Sequence, residues 1–305
     1  MSLEAVQTFL PYPDFRRSAA VLDTARLGKQ RVESLQVLRA LELPNYGWAT
    51  HPAVGMWRGH TPALVVYGSS CVAEWRKRGH ADSTLDNIRE FAPQARDWDQ
   101  EELRRRGLLP SWFGDERLHR SHRSALLRKD PGHYRPCFPD VPDDLAYWWP
   151  PAEPAPRTAP CIDGSRLWVV RPSSPVTLGA FLELGRVGLD ASCGIDVDAN
   201  GRDLAGLRQL LAERAPRRRT GKDLRQLDAF INDIEIGDSV AIPIEGGDAL
   251  LVGEVTGPYI FNGELGACHQ RPVRWHARLL RSAVDPPAAL QNPKTLFAVR
   301  RANDT

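Results

Sequence analysis

The sequence predicts a chain of two folded parts, the first all-helical and the second α+β. Three observations carry this. Apolar residues recur at helical spacing over roughly 14–41. Residues 150–160 form a proline-rich stretch of the kind that separates cores. Beyond it, short β-branched runs alternate with Gly-containing turns. The expected boundaries are 1–150 for the helical domain, 151–162 for a linker, and 163–305 for a partly closed β-barrel with flanking helices.

Taken in order, residues 6–13 are expected to be extended, because Pro11 and Pro13 forbid an early helix. Asp14 is a plausible N-cap for one long helix reaching Leu41. On that helix Val21, Ala25, Val32 and Leu35 would share the apolar side. Arg16, Asp23, Arg26 and Gln30 would share the polar side, with Lys29 further round. Two readings of this stripe stay open. It is a solvated face with i,i+3 ion pairs, or an active-site helix whose Asp23 works beside a polyanion.

Pro44, Asn45 and Gly47 end that helix. A Gly/Pro-punctuated segment, residues 51–60, leads to a second helix over Pro62–Arg78, closed by Gly79. Residues 82–108 read as helical and charged. Residues 112–131 concentrate cations and two histidines in one helical window, the densest basic patch in the chain. It is either a solvated face or a surface for DNA phosphates. His119 and His122 have no evident third ligand, so no metal site and no cofactor is expected.

In the second half, Leu167–Arg171, Ser239–Ile244, Ala249–Val255 and His269–Leu279 read as strands. Helices are expected at 203–216 and Asp223–Ile231, with a basic loop, Arg217–Arg219 and Lys222, between them.

Composition narrows the function classes. The chain has 305 residues, 42% of them hydrophobic, and a net charge of +2, so any nucleic-acid surface must be local. Cys71, Cys137, Cys161, Cys193 and Cys268 are odd in number and form no C-x-x-C pair. That argues against a disulfide framework or zinc site and fits a reducing cytoplasm. No signal pattern or membrane-spanning run is apparent.

Leu22-Asp23 with Arg26-Leu27-Gly28-Lys29-Gln30, the segments His51–Gly59 and Glu74–His80, and His119–Ser124 with Arg128–Pro131 resemble a bacterial branch of the pyrimidine-dimer DNA glycosylase (endonuclease V) family. The resemblance implies a compact helical domain that breaks the N-glycosidic bond of a damaged pyrimidine. The family's essential carboxylate is a glutamate on the first long helix, and Asp23 is the nearest match. Arg26 and Lys29 would hold it ionised or grip flanking phosphates. The family founder also nicks abasic sites through its N-terminal amine, at a position matching the neighbourhood of Val6, so lyase activity stays open here. DNA contacts would come from Gln7, Thr8, Arg16, Gln30, Trp57 and Arg58, and from His119, Arg120, His122, Arg123 and Lys129.

Residues 167–171, 236–240, 255–259 and 269–275 resemble the PUA-like module of Mrr-type restriction endonucleases, a relative of EVE domains. That implies a modified-base pocket, with Trp168, Asp196, Tyr259, His269 and Trp275 as its residues. Together the resemblances lead to the expectation of a DNA glycosylase that flips out and excises a modified pyrimidine, in defence against modified phage DNA. Dimer repair, and a non-catalytic nucleic-acid-binding protein, are the alternatives. The expected partner is double-stranded DNA with modified or damaged pyrimidines; neither a membrane nor an obligatory protein partner is expected.

Overall fold

The computed structural model describes residues 7–43, 46–151, 166–190, 194–214, 221–262 and 267–301. The chain divides into two compact units, Met1–Ala159 and Pro160–Thr305. Most of the proline-rich stretch lies outside the described residues.

The first unit is helical. An extended segment from Gln7 leads to α1 (Phe15–Val21), α2 (Thr24–Glu42), α3 (Pro52–Gly55), α4 (Thr61–Lys77), α5 (Leu85–Arg89), α6 (Gln100–Arg105), α7 (Glu116–Lys129) and α8 (Pro131–Tyr134). Asp14 caps α1 as its position suggested, accepting from the Arg17 N–H. The single helix expected from Asp14 to Leu41 is instead two. Leu22 leaves α1 with extended backbone, and Asp23 restarts the chain as the N-cap of α2. A side-chain oxygen that satisfies a first-turn N–H favours a fresh helix start over continuation. The break re-phases the faces: Gln30 is fully buried, and Val32 lies open to solvent. Likewise, Pro93 divides the expected helix 82–108 into α5, a short 3-10 turn and α6.

α4 is the central helix of the unit and packs against both α1 and α2. Phe15, Leu27, Leu38, Leu64 and Tyr67 fill the space between them, with Trp57 alongside. The α2–α4 crossing is tight at two reciprocal glycines. A Cβ on Gly28 of α2 would lie 3.1 Å from the Trp75 ring of α4, and one on Gly68 of α4 would lie 3.2 Å from Ser34 Cβ of α2.

The second unit is built on a mixed eight-stranded sheet whose strand order does not close into a ring. Its strands are β1 (Arg166–Val170), β2 (Arg186–Leu189), β3 (Ser239–Ile244), β4 (Ala249–Val255), β5 (Ile260–Phe261), β6 (His269–Leu280), β7 (Val284–Asp285) and β8 (Leu296–Arg301). The order is β2-β6-β4-β3-β1-β8-β7, with β5 on β6. β1 and β3 are parallel, and the other pairs are antiparallel. A parallel pair needs a long crossover, and here it contains α9 (Pro175–Leu184), α10 (Leu204–Arg214) and α11 (Gly221–Asp228). These helices cover one sheet face, where Phe181, Leu207, Leu227 and Phe230 join Trp168, Val170 and Val240. The alternate residues Leu167 and Val169 join Leu290 and Phe297 in a second core, as the two-residue period of a strand requires.

Candidate active site

Asp23, the carboxylate singled out in the sequence, sits at the start of α2 with its oxygens engaged. Oδ1 accepts from the Arg26 main-chain N–H at 3.0 Å. Oδ2 accepts from the Tyr134 hydroxyl at 2.5 Å and from the Arg26 guanidinium at 3.3 Å. The Asp23 N–H in turn donates to the Tyr134 oxygen at 3.1 Å. Burial works to raise the Asp23 pKa, but the Tyr134 and Arg26 hydrogen bonds outweigh it and hold the carboxyl below its usual value. Burial and the bond to Asp23 raise the Tyr134 phenol. Asp23 thus caps α2 and anchors Tyr134 and Arg26 from a helix start, where a mid-helix position was expected.

A cavity of about 320 Å³ opens one turn along the same helix. Arg26, Lys29 and Glu33 line it from α2, sharing a face through spacings of three and four residues. Lys129, at the end of α7, adds a third cation. The remaining wall is aromatic: Phe9, His51, Tyr147 and Trp149. Trp149 lies edge-on to His51 at 6.2 Å and tilted against Tyr147 at 5.4 Å. His51 Nδ1 accepts from the Ala53 N–H, so a neutral ring carries its proton on Nε2.

Gln30 fixes the floor. Its Oε1 accepts from the Phe9 N–H at 2.7 Å and lies 2.7 Å from the Tyr67 hydroxyl. Its Nε2 donates to the Gln7 carbonyl at 2.9 Å and to Glu33 Oε2 at 2.7 Å. All the hydrogen-bonding capacity of this buried amide is used, so its orientation is determined and it orients Glu33 in turn. Burial raises the Glu33 pKa to about 7, against the opposing pull of Lys29, Lys129, the Gln7 N–H and Gln30. The result is a carboxyl poised near neutrality, beside three cations and an aromatic wall. Glu33 was not among the residues singled out in the sequence. The available signal was its i,i+4 relation to Lys29 and i,i+7 relation to Arg26.

The other expected DNA contacts divide by burial. Gln7 lines the cavity. Thr8, Trp57, His119 and His122 do not reach solvent, which corrects their assignment as DNA contacts. The Trp57 indole N–H donates to Thr8 Oγ1 at 2.8 Å. The two histidines clamp the extended segment. Leu10 donates its N–H to His122 Nδ1 at 2.9 Å, and its carbonyl lies 2.8 Å from His119 Nδ1. Gly114 donates to His119 Nε2, so His119 gives its Nδ1 proton to Leu10. Burial depresses the His122 pKa to about 3, which keeps that ring neutral. Arg16 and Arg120 are exposed. Arg58 reaches the Ala49 carbonyl, and Arg123 the Pro11 carbonyl and Glu116.

In the second unit the expected base pocket is filled. Trp168, Tyr259 and His269 are buried in the sheet–helix core. Trp168 donates to Asp238, and Trp275 to the Phe181 carbonyl. The Tyr259 hydroxyl meets His269 Nδ1 at 2.7 Å, while His269 Nε2 meets the Ile195 carbonyl at 2.9 Å. Asp196 is exposed. Cys193 and the loop Arg217–Arg219 lie outside the described residues, as does the side chain of Lys222. Among the described residues, no His/Cys/Asp/Glu group is arranged to hold a metal ion, and no helix is long and apolar enough to cross a membrane.

Residues 6–87 match the family model described as pyrimidine dimer DNA glycosylase. The matched segment contains Asp23, Arg26, Lys29, Gln30 and Glu33, and it supports a DNA glycosylase. Residues 185–296 match a domain of unknown function (DUF8426). Neither match supports a PUA-like or Mrr-type relationship. No curated protein and no solved structure matches the chain.

Proposed function

We propose that the first unit excises a damaged pyrimidine from duplex DNA and that Glu33, not Asp23, is the working carboxylate. One observation carries this reading: Glu33 is held by Gln30 at a cavity that combines three cations with an aromatic wall. Cleaving an N-glycosidic bond builds positive charge on the deoxyribose. A carboxylate beside the sugar stabilises that charge and orients the attacking water. Arg26, Lys29 and Lys129 are suited to the phosphates on either side of the extruded nucleotide. Tyr147 and Trp149 offer faces on which an everted base can stack.

Asp23 acts through position. By capping α2 and binding the Arg26 guanidinium, it sets the start of the helix that presents Arg26, Lys29 and Glu33. We assign no reading of a modified base to the second unit, because Trp168, Tyr259 and His269 are buried and Trp275 packs against the same core.

The test is a single-turnover assay on duplexes carrying one thymine dimer, 5-methylcytosine or 5-hydroxymethylcytosine, with abasic sites revealed by alkali. Release from the dimer duplex, lost in Glu33→Gln, supports the reading; release confined to the modified cytosines moves the substrate to modified bases. Borohydride trapping on the same substrates establishes whether an amine adduct, and hence strand scission, accompanies excision.

A further inference from the structure

The first unit has a second and larger cavity, about 880 Å³, bordered by α1, α4 and α6. It shares no lining residue with the Glu33 pocket. Its charges are not evenly spent. Of the acids on its wall, Asp14 and Asp99 cap α1 and α6, Glu74 is held by Arg78 and Lys77, and Glu101 is held by Arg104. Arg16, Arg89 and Arg96 also line it, and their side chains make no hydrogen bond or ion pair within 4 Å among the described residues. The capped and paired acids keep their charge, so the wall carries six cations (Arg16, Arg17, Lys77, Arg89, Arg96 and Arg104) against five acids, and Arg16 feels Asp99 at longer range.

Arg89 is the informative member. It is half-buried, and its Nε is shut off from solvent without an acceptor. A sealed Nε cannot meet a ligand in the cleft, and Arg31 and Arg123 carry the same orphan; the Arg89 donors that can meet one are the terminal guanidinium nitrogens, which are not sealed. The planar fork of donors matches the oxygens of a phosphate group, and further cations at the mouth suit a ligand carrying more than one negative charge. The family match ends at residue 87, so Arg89 and Arg96 lie outside the segment that it covers.

We propose that this cleft is a second anion site, which binds a phosphate group through Arg89 with Arg16 and Arg96 at its entrance. The phosphate belongs either to the backbone of a DNA duplex or to a free phosphorylated compound. The site is independent of the glycosylase reading, since it requires no damaged base.

The test uses the full chain and an undamaged duplex. Arg89→Gln, Arg96→Ala and the unaltered protein are compared for the slope of log affinity against log salt, and separately for binding of inorganic pyrophosphate by calorimetry. Arg96 is exposed, so its variant remains informative if Arg89→Gln folds poorly. If the ligand is duplex phosphate, each variant loses affinity several-fold and the slope falls by roughly one per lost contact. An unchanged slope with pyrophosphate binding that the variants lose assigns the site to a free phosphorylated compound. Unchanged slopes with no variant-sensitive pyrophosphate binding overturn the proposal.

Discussion

Asp23 and Glu33 belong to the same helix, and their surroundings drive them to opposite protonation behaviour. Asp23 accepts three hydrogen bonds and stays ionised; Glu33 is desolvated and titrates near neutrality. Excision by Glu33→Gln should therefore fall by about 10²-fold or more. Asp23→Asn keeps a competent cap and should stay within several-fold of the unaltered rate. A reaction that needs ionised Glu33 gains rate as pH rises through about 7, and a single-turnover pH profile reads this directly. Stability has the opposite sign. A carboxyl whose folded pKa is raised binds more protons in the folded state than in the unfolded state. Its ionisation therefore costs stability as pH rises from about 4.5 to about 7, by up to a few kcal/mol. Urea titrations at pH 5 and pH 8 should show this loss, and Glu33→Gln should remove it. Asp23 drew notice because a carboxylate among arginines is visible in sequence. Glu33 escaped it because its partners include Gln7 and Lys129, which only the fold brings near.

At the scale of elements, the helix start at Asp23 and the α2–α4 crossing position the site. Asp23→Ala removes the cap and should cost about 0.5–2 kcal/mol in denaturant unfolding. Gly68→Ala would place a methyl 3.2 Å from Ser34 Cβ and 3.3 Å from Ile88. We expect a cost of about 1–3 kcal/mol, with excision impaired because α2 must shift. The strands β3, β4 and β6 and the helices α4, α7 and α10 were legible, since each has a clean period bounded by Gly, Pro or an Asp cap. The α1–α2 break was not, because an Asp-x-x-Arg cap reads like an interior ion pair until the backbone shows it. β2, β5 and β7 are two to four residues long, and β8 pairs with β1 from the far end of the unit, so their identity depends on partners outside the local pattern. The strand order, with β1 and β3 parallel across a long crossover, is likewise not encoded in local pattern. The buried histidines, rich in cations nearby, looked like a DNA surface; the amphipathic phase of α7 turns them inward to Leu10.

At the scale of the molecule, each unit has its own core. A chain ending at residue 159 should unfold cooperatively and retain excision of the dimer duplex, as followed by circular dichroism and the alkali assay; loss of cooperative unfolding would show that the first unit depends on the second. Near-neutral net charge is compatible with the proposed DNA binding because Arg26, Lys29 and Lys129 gather around one cavity. The central claim is that the carboxylate in this cavity breaks the glycosidic bond. The most direct measurement is the single-turnover excision rate on a thymine-dimer duplex for Glu33→Gln beside Asp23→Asn, with duplex affinity measured in parallel. The account predicts that Glu33→Gln binds normally and fails to excise, while Asp23→Asn still excises. Robust excision by Glu33→Gln, with activity lost in Asp23→Asn, would contradict it.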